Sequence, residues 1–199
     1  YNRRRELTDE PEESREIARQ IAELYENQLG DHNAAIESYQ AVLQFDPLDG
    51  RALAALDRLF QSAGDWSRYA ETLERRLELD IAEAELVDLK YRLAEVERLH
   101  LGDAQRALAT YREVLTLTPD HAGARAALEG MLDDPNLGST AATVLENIYE
   151  VLGDWNQLIH VSGILARAAS DDTDRQVELY TKIAQTAELR LGDSRRAFE

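Results

Sequence analysis

Apolar residues recur at helical spacing along most of the chain. Ile17, Ile21 and Leu24, flanked by Ala18, Ala22 and Tyr25, form a stripe with the 3.6-residue period of a helix that buries one face, and they predict a helix running to about Leu29. Its start is marked by TDEPEE at 8–13, where acidic residues surround Pro11 in the first turn and suit the unpaired amides there. A glycine-aspartate pair then ends the helix and opens the next, glycine taking the left-handed turn and aspartate capping the new amides. The pair recurs at Gly30, Gly64, Gly102, Gly153 and Gly192, at intervals of 34, 38, 51 and 39 residues. Few segments alternate with the two-residue period of strands.

The units between these breaks are copies. LGDHNAAIESYQAVLQFDP at 29–47 returns 72 residues later as LGDAQRALATYREVLTLTP at 101–119, so that Leu29, Gly30, Asp31, Ala35, Tyr39, Val42, Leu43 and Pro47 recur as Leu101, Gly102, Asp103, Ala107, Tyr111, Val114, Leu115 and Pro119. A third copy opens with LGDSRRAFE at 191–199. The breaks come in two forms: Leu-Gly-Asp at Gly30, Gly102 and Gly192, and Gly-Asp-Trp at Gly64 and Gly153. YNRRREL at 1–7 aligns at the same offset with LERRLEL at 73–79, which makes it the tail of a helix begun upstream. Repetition on this scale predicts a stacked helical array.

Here the chain resembles the tetratricopeptide repeat family, as a divergent, bacterial-type array. Ile21, Ala22, Tyr25, Ala35, Tyr39 and Pro47 match that family's helix-turn-helix pattern, as do Ala107, Tyr111 and Pro119, while Tyr180, Ile183 and Ala184 fit its first helix. The Gly-Asp-Trp units depart from it, with Tyr69 and Leu158 where a small alanine belongs. The resemblance implies an all-α fold, a right-handed superhelical solenoid of antiparallel helix pairs that is elongated rather than compact. The expected units are 1–11 (partial), 12–47, 48–82, 83–119, an extra helix at 120–136, 137–170 and 171–199 (truncated). The extra helix accounts for the 17 residues by which the interval from Gly102 to Gly153 exceeds that from Gly30 to Gly64, and it is expected to disturb the superhelix. After it, Ser139 is expected to cap a helix reaching about Leu152. SDDTDRQ at 170–176 lacks the glycine and closing glutamate of a calcium loop. It reads instead as a capping box, Thr173 reaching forward and Gln176 back.

Composition narrows the function. With 44% hydrophobic and 31% charged residues the chain supports a continuous core and is too polar for a membrane span. A net charge of -17 opposes nucleic acid, the exception being Arg3, Arg4 and Arg5, which sit where cations suit a helix C-terminus. No cysteine is present, so disulfides, thiolate catalysis and cysteine-ligated zinc are excluded, while the compartment stays open between cytoplasm and periplasm. His32, His100, His121 and His160 share no ligand spacing, and no phosphate loop or nucleophile elbow occurs, so no cofactor, no metal and no enzymatic activity are expected. Trp66 and Trp155 follow the Gly-Asp turn, where an aromatic packs between the two helices of its own unit.

What remains is a binding scaffold. The resemblance places first helices on a concave side, and spacing of three, four, three selects their polar stripe: Glu16, Arg19, Glu23 and Glu26; Arg51, Ala54, Arg58 and Gln61; Asp88, Tyr91, Glu95 and Arg98; Thr140, Thr143, Asn147 and Glu150; Glu178, Thr181, Gln185 and Glu188. The candidate groove residues are Arg19, Glu23, Arg51, Arg58, Tyr91, Glu95, Arg98, Asn147 and Gln185. Eight acids against the four arginines of this stripe favour a protein or peptide segment of basic or mixed charge, anchored between Arg58 and Tyr91. Some members of the family clamp a chaperone's C-terminal carboxylate with lysines and asparagines; the matching positions here are mainly Glu, Arg, Thr and Gln, which argues against that specialisation. Uncapped ends leave room for self-association. The alternatives are a regulatory or sensor domain that takes a small molecule or signalling peptide, and an envelope assembly factor.

Overall fold

The computed structural model describes residues 11–193, so the readings of Thr8, of the tail at 1–7 and of the copy beyond Asp193 fall outside the described residues. The chain forms two compact units, Tyr1–Gly102 and Asp103–Glu199. The first holds α1 (Pro11–Leu24), α2 (His32–Phe45), α3 (Gly50–Ala63), α4 (Trp66–Arg76) and α5 (Glu83–Leu99). The second holds α6 (Ala104–Leu117), α7 (Ala122–Glu129), α8 (Gly138–Leu152), α9 (Trp155–Ala168) and α10 (Thr173–Leu191). The fold is all-α, with no strand among the described residues. Within each unit consecutive helices pack on one another across short connections, as the antiparallel pairs of a tetratricopeptide-type solenoid do.

The Gly-Asp breaks behave as their chemistry requires. Each glycine has φ between 64° and 70°, a region costly for any residue with a Cβ. Asp31, Asp65, Asp103 and Asp154 accept the amides of Ala34, Arg68, Arg106 and Gln157. The two forms of the break also differ in backbone. In the Gly-Asp-Trp form Asp65 and Asp154 donate their N–H to the carbonyls of Phe60 and Tyr149. In the Leu-Gly-Asp form Asp31 and Asp193 reach one residue further, to Tyr25 and Ala187. The added residue widens the last turn, which at Tyr25–Leu29 is π-helical and leaves Leu29 exposed; Leu101, its counterpart in the second copy, is exposed as well.

The aligned positions are core. Ala35, Tyr39, Val42 and Leu43 of α2 and their counterparts Ala107, Tyr111, Val114 and Leu115 of α6 are buried. Ala18 and Ala22 of α1, Leu53, Leu56 and Phe60 of α3, and Tyr69 and Leu73 of α4 join the first unit's core, Tyr69 filling the space left where the family uses a small residue. In the second unit Leu128, Leu145, Tyr149, Leu158 and Leu179 do the same for α7 to α10.

The insertion is a short helix. At the same 72-residue offset Asp120–Leu132 aligns with Leu48–Phe60, but α7 ends at Glu129, short of that match, and packs against both α6 and α8. The chain then turns back tightly: Asp134, not Ser139, accepts the amides of Asn136 and Leu137, and its carbonyl takes the N–H of Gly138. A Cβ on Gly138 would sit 2.3 Å from the Leu132 carbonyl oxygen, so the reversal needs glycine there. The cap of α10 differs in the same way. Asp172 accepts the Arg175 amide in place of Thr173, because a carboxylate one residue earlier is already within reach. Gln176 donates to the Ala166 carbonyl, fastening α10 to the end of α9.

Candidate functional site

In the first unit the stripe of candidate residues is held by its own ion pairs. Arg58 on α3 is exposed, and its guanidinium donates to Glu26 at 3.0 Å and to the Ala54 carbonyl at 3.1 Å. Arg58 thus has a carboxylate partner within the chain while its side chain stays exposed. Arg19 pairs with Glu16 and lies 3.9 Å from Asp49, and Arg98 pairs with Glu95 at 3.0 Å. Glu23 and Arg51 are exposed. Tyr91 is partly buried, and burial together with the nearby Glu95 carboxylate raises its hydroxyl above the ordinary tyrosine range. Glu26 carries a second load: the buried Tyr39 donates to it at 2.7 Å, and burial with this carboxylate holds Tyr39 well above its usual value.

Two acid–base joints recur at equivalent positions, one in each unit. Seven residues before the Gly-Asp-Trp glycine stands a buried carboxylate, Asp57 on α3 and Glu146 on α8. Ten residues before the next glycine stands its partner, Arg92 on α5 and Lys182 on α10. Asp57 bonds Arg92 and also Arg76 at the end of α4. Arg92 donates to the Tyr69 hydroxyl at 2.9 Å. Glu146 accepts from Lys182 at 3.1 Å and from Ser162 at 3.2 Å, with Glu150 on the same ammonium at 2.9 Å. Burial works against the charged forms of Arg92 and Lys182, yet these hydrogen bonds outweigh it and raise both.

The tryptophans join the same helices. Trp66 stacks on His100 with ring centroids 3.7 Å apart, and Arg190 lies 4.8 Å over Trp155. Each partner precedes the following glycine by two residues, so the indole packs beyond its own helix pair and onto the next helix, where the sequence pattern alone had placed it inside the pair. These joints bring the cations Arg92 and Lys182 to the stripe together with the acids Asp57 and Glu146.

The second unit holds an open trough of about 540 Å³ between α6 and α8. Arg112 and Thr116 form one wall; Ser139, Thr140, Thr143 and Asn147 form the other, over Val144 and Ile148. Thus Asn147 of the candidate set, with Thr140 and Thr143 of its stripe, faces α6. Gln185 lies apart from it, in a cleft of about 380 Å³ with Glu150, Trp155, Lys182 and Arg190. The sequence reading missed Arg112, Thr116 and Ser139. A signal was available in the spacing of Arg112 and Thr116 by one helical turn on a polar face, yet it pointed at a partner only once α7 proved too short to separate α6 from α8.

Among the described residues no cluster of three His, Asp or Glu side chains could hold a metal, and no helix is long and apolar enough to cross a membrane. His121 instead caps α7, its ring nitrogen accepting the Ala124 amide at 3.1 Å.

Two segments match family models, both described as tetratricopeptide repeat: residues 12–47 and residues 88–121. No curated protein matches the chain. Among solved structures it is similar to the MamA protein, at 18% identity over 92% of this chain and 86% of that one, with a TM-score of 0.43. It is similar also to a tetratricopeptide repeat protein from Parabacteroides merdae, at 16% identity over 94% and 77% of the two chains, with a TM-score of 0.43. The TPR2AB domain of yeast Sti1 in complex with an HSP90 peptide is 16% identical over 92% and 76%, with a TM-score of 0.41.

Proposed function

We propose that this chain, which belongs to the tetratricopeptide repeat family, is a non-catalytic protein–protein interaction scaffold that takes a protein or peptide segment of basic or mixed charge along its first-helix stripe. The supporting observation is the division of labour between faces. Most apolar side chains of α1 to α9 are buried against neighbouring helices, while Glu23, Arg51, Arg58, Asn147 and Gln185 remain exposed. A surface of this kind recognises by charge and hydrogen bonding more than by apolar burial, so its partners associate with a marked salt dependence.

The experiment takes a partner identified by crosslinking and mass spectrometry and titrates it against the wild type, Arg58→Glu and Tyr91→Ala. A loss of about tenfold or more, worth about 1.4 kcal/mol, is expected in both variants with helicity unchanged. Wild-type affinity in both would move the binding surface off the first-helix stripe of the first unit.

A further inference from the structure

The trough between α6 and α8 has a chemistry unlike the rest of this acidic chain. The protein carries 39 aspartates and glutamates, yet among the described residues that line the trough none is acidic. Its one charge is Arg112, whose exposed guanidinium has no partner among the described residues, whereas Arg19, Arg58, Arg76, Arg92 and Arg175 are all spent on carboxylates. An unspent guanidinium beside an acid-free wall is a receptor for a carboxylate, which it takes by paired hydrogen bonds.

The remaining wall groups say what carries that carboxylate. The hydroxyls of Thr116 and Thr143 donate back to the carbonyls of Arg112 and Ser139 at 2.8 and 2.9 Å, and the Asn147 amide nitrogen donates to the Thr143 carbonyl at 3.2 Å. The Thr116 and Thr143 oxygens are left as acceptors, while Asn147 keeps one N–H and Ser139 and Thr140 keep their hydroxyls, so the wall can meet both the N–H donors and the carbonyl acceptors of a peptide backbone. Val144 and Ile148 below them offer an apolar floor. A carboxylate, a row of N–H donors and an aliphatic group are combined in a peptide. From Ser139 to Ile148 the α8 wall rises about 13 Å at 1.5 Å per residue, and an extended chain covers that in about four residues.

The geometry points to the α6–α8 trough as a docking site for an extended peptide segment in which a glutamate or aspartate side chain flanked by aliphatic residues pairs with Arg112. This rests on the scaffold reading and deepens it: the second unit's part of the stripe, at Thr140, Thr143 and Asn147, shares its trough with Arg112 and so prefers the opposite charge to the first unit's part. The open trough suits a passing segment, so the carboxylate is assigned to a side chain and not to a chain terminus.

The test is a titration of the isotope-labelled protein, followed by amide NMR, with four N-acetylated pentapeptides. They are Ala-Leu-Glu-Leu-Ala amide, its Gln and Lys counterparts, and Ala-Leu-Gln-Leu-Ala with a free C-terminus. The Glu peptide is expected to shift the amides of Arg112, Thr116, Thr140, Thr143 and Asn147 and to bind at least about tenfold more tightly than the Gln peptide. Arg112→Gln should abolish that difference, and Arg112→Glu should transfer the preference to the Lys peptide, with the melting temperature unchanged since Arg112 is exposed. Equal affinity for the Glu and Gln peptides, shifts outside the trough, no binding at millimolar peptide, or unaltered selectivity in Arg112→Gln would each overturn the proposal. Stronger binding of the free-acid peptide than of the Glu peptide would overturn the side-chain assignment. Arg58→Glu should leave all peptide affinities unchanged, so that loss of the crosslinked partner in that variant bears on the first unit's part of the stripe alone.

Discussion

Replacing Asp57 by Asn removes one negative charge and almost no volume, so it isolates what the buried joint of the first unit contributes. Asp57 is 2% exposed and accepts from Arg76 and Arg92, whose side chains are 14% and 27% exposed. Breaking a fully buried pair from one side costs about 3 to 5 kcal/mol, because the surviving charge is left without compensation. Two features lower the figure here. Arg76 keeps Glu85 at 2.6 Å and Arg92 keeps Asp88 at 3.6 Å, and both guanidiniums retain some water. A loss of about 2 to 3 kcal/mol remains, or about 5 to 10 °C in the melting temperature of a chain this long. Because a repeat array is stabilised by nearest-neighbour contacts, the loss should fall on α3, α4 and α5 before it is felt in the second unit. Calorimetry gives the first number, and hydrogen exchange of the α3 to α5 amides gives its location. A double-mutant cycle with Arg92→Gln should return a coupling of about 1 kcal/mol or more. A loss below about 1 kcal/mol, or a uniform increase in exchange across both units, would refute the claim that this charge joins successive first helices.

Gly138→Ala should destabilise the second unit by about 2 kcal/mol or more, since its Cβ would collide with a backbone oxygen at 2.3 Å; urea titration checks it, and a neutral result would mean the reversal after α7 is not as drawn. Alkaline pH should weaken the fold. Tyr39, Tyr149 and Lys182 all have folded-state pKa values raised above the ordinary 10.0 and 10.5, so their contribution is whole below those values and is lost as pH rises beyond them. Tyr39→Phe should therefore flatten the fall in melting temperature above pH 10 while costing about 1.5 kcal/mol at neutral pH from the bond to Glu26. Trp66→Leu should loosen the end of α5 by removing the indole that stacks on His100, visible as faster exchange at residues 96–100 with the α1 and α2 amides unchanged.

The sequence by itself determined whatever depends on neighbours along the chain. Five Gly-Asp breaks placed the helix ends, because a left-handed glycine and an aspartate cap need nothing beyond the next few residues. The copied positions Ala35, Tyr39 and Leu43, and again Ala107, Tyr111 and Leu115, gave the buried faces through their period alone. Caps with a rival carboxylate nearby, as at Asp134 and Asp172, were decided by reach, which spacing rules do not resolve. The partners of charges belonged wholly to the tertiary structure. Arg58 looked free as a groove residue until the wide turn after Tyr25 brought Glu26 to it, and Asp57 was one acid among many until α5 brought Arg92. The α6–α8 trough has the same origin. It exists because α7 stops at Glu129 and lets two helices separated by twenty residues of sequence face each other, a distance across which no local pattern carries information.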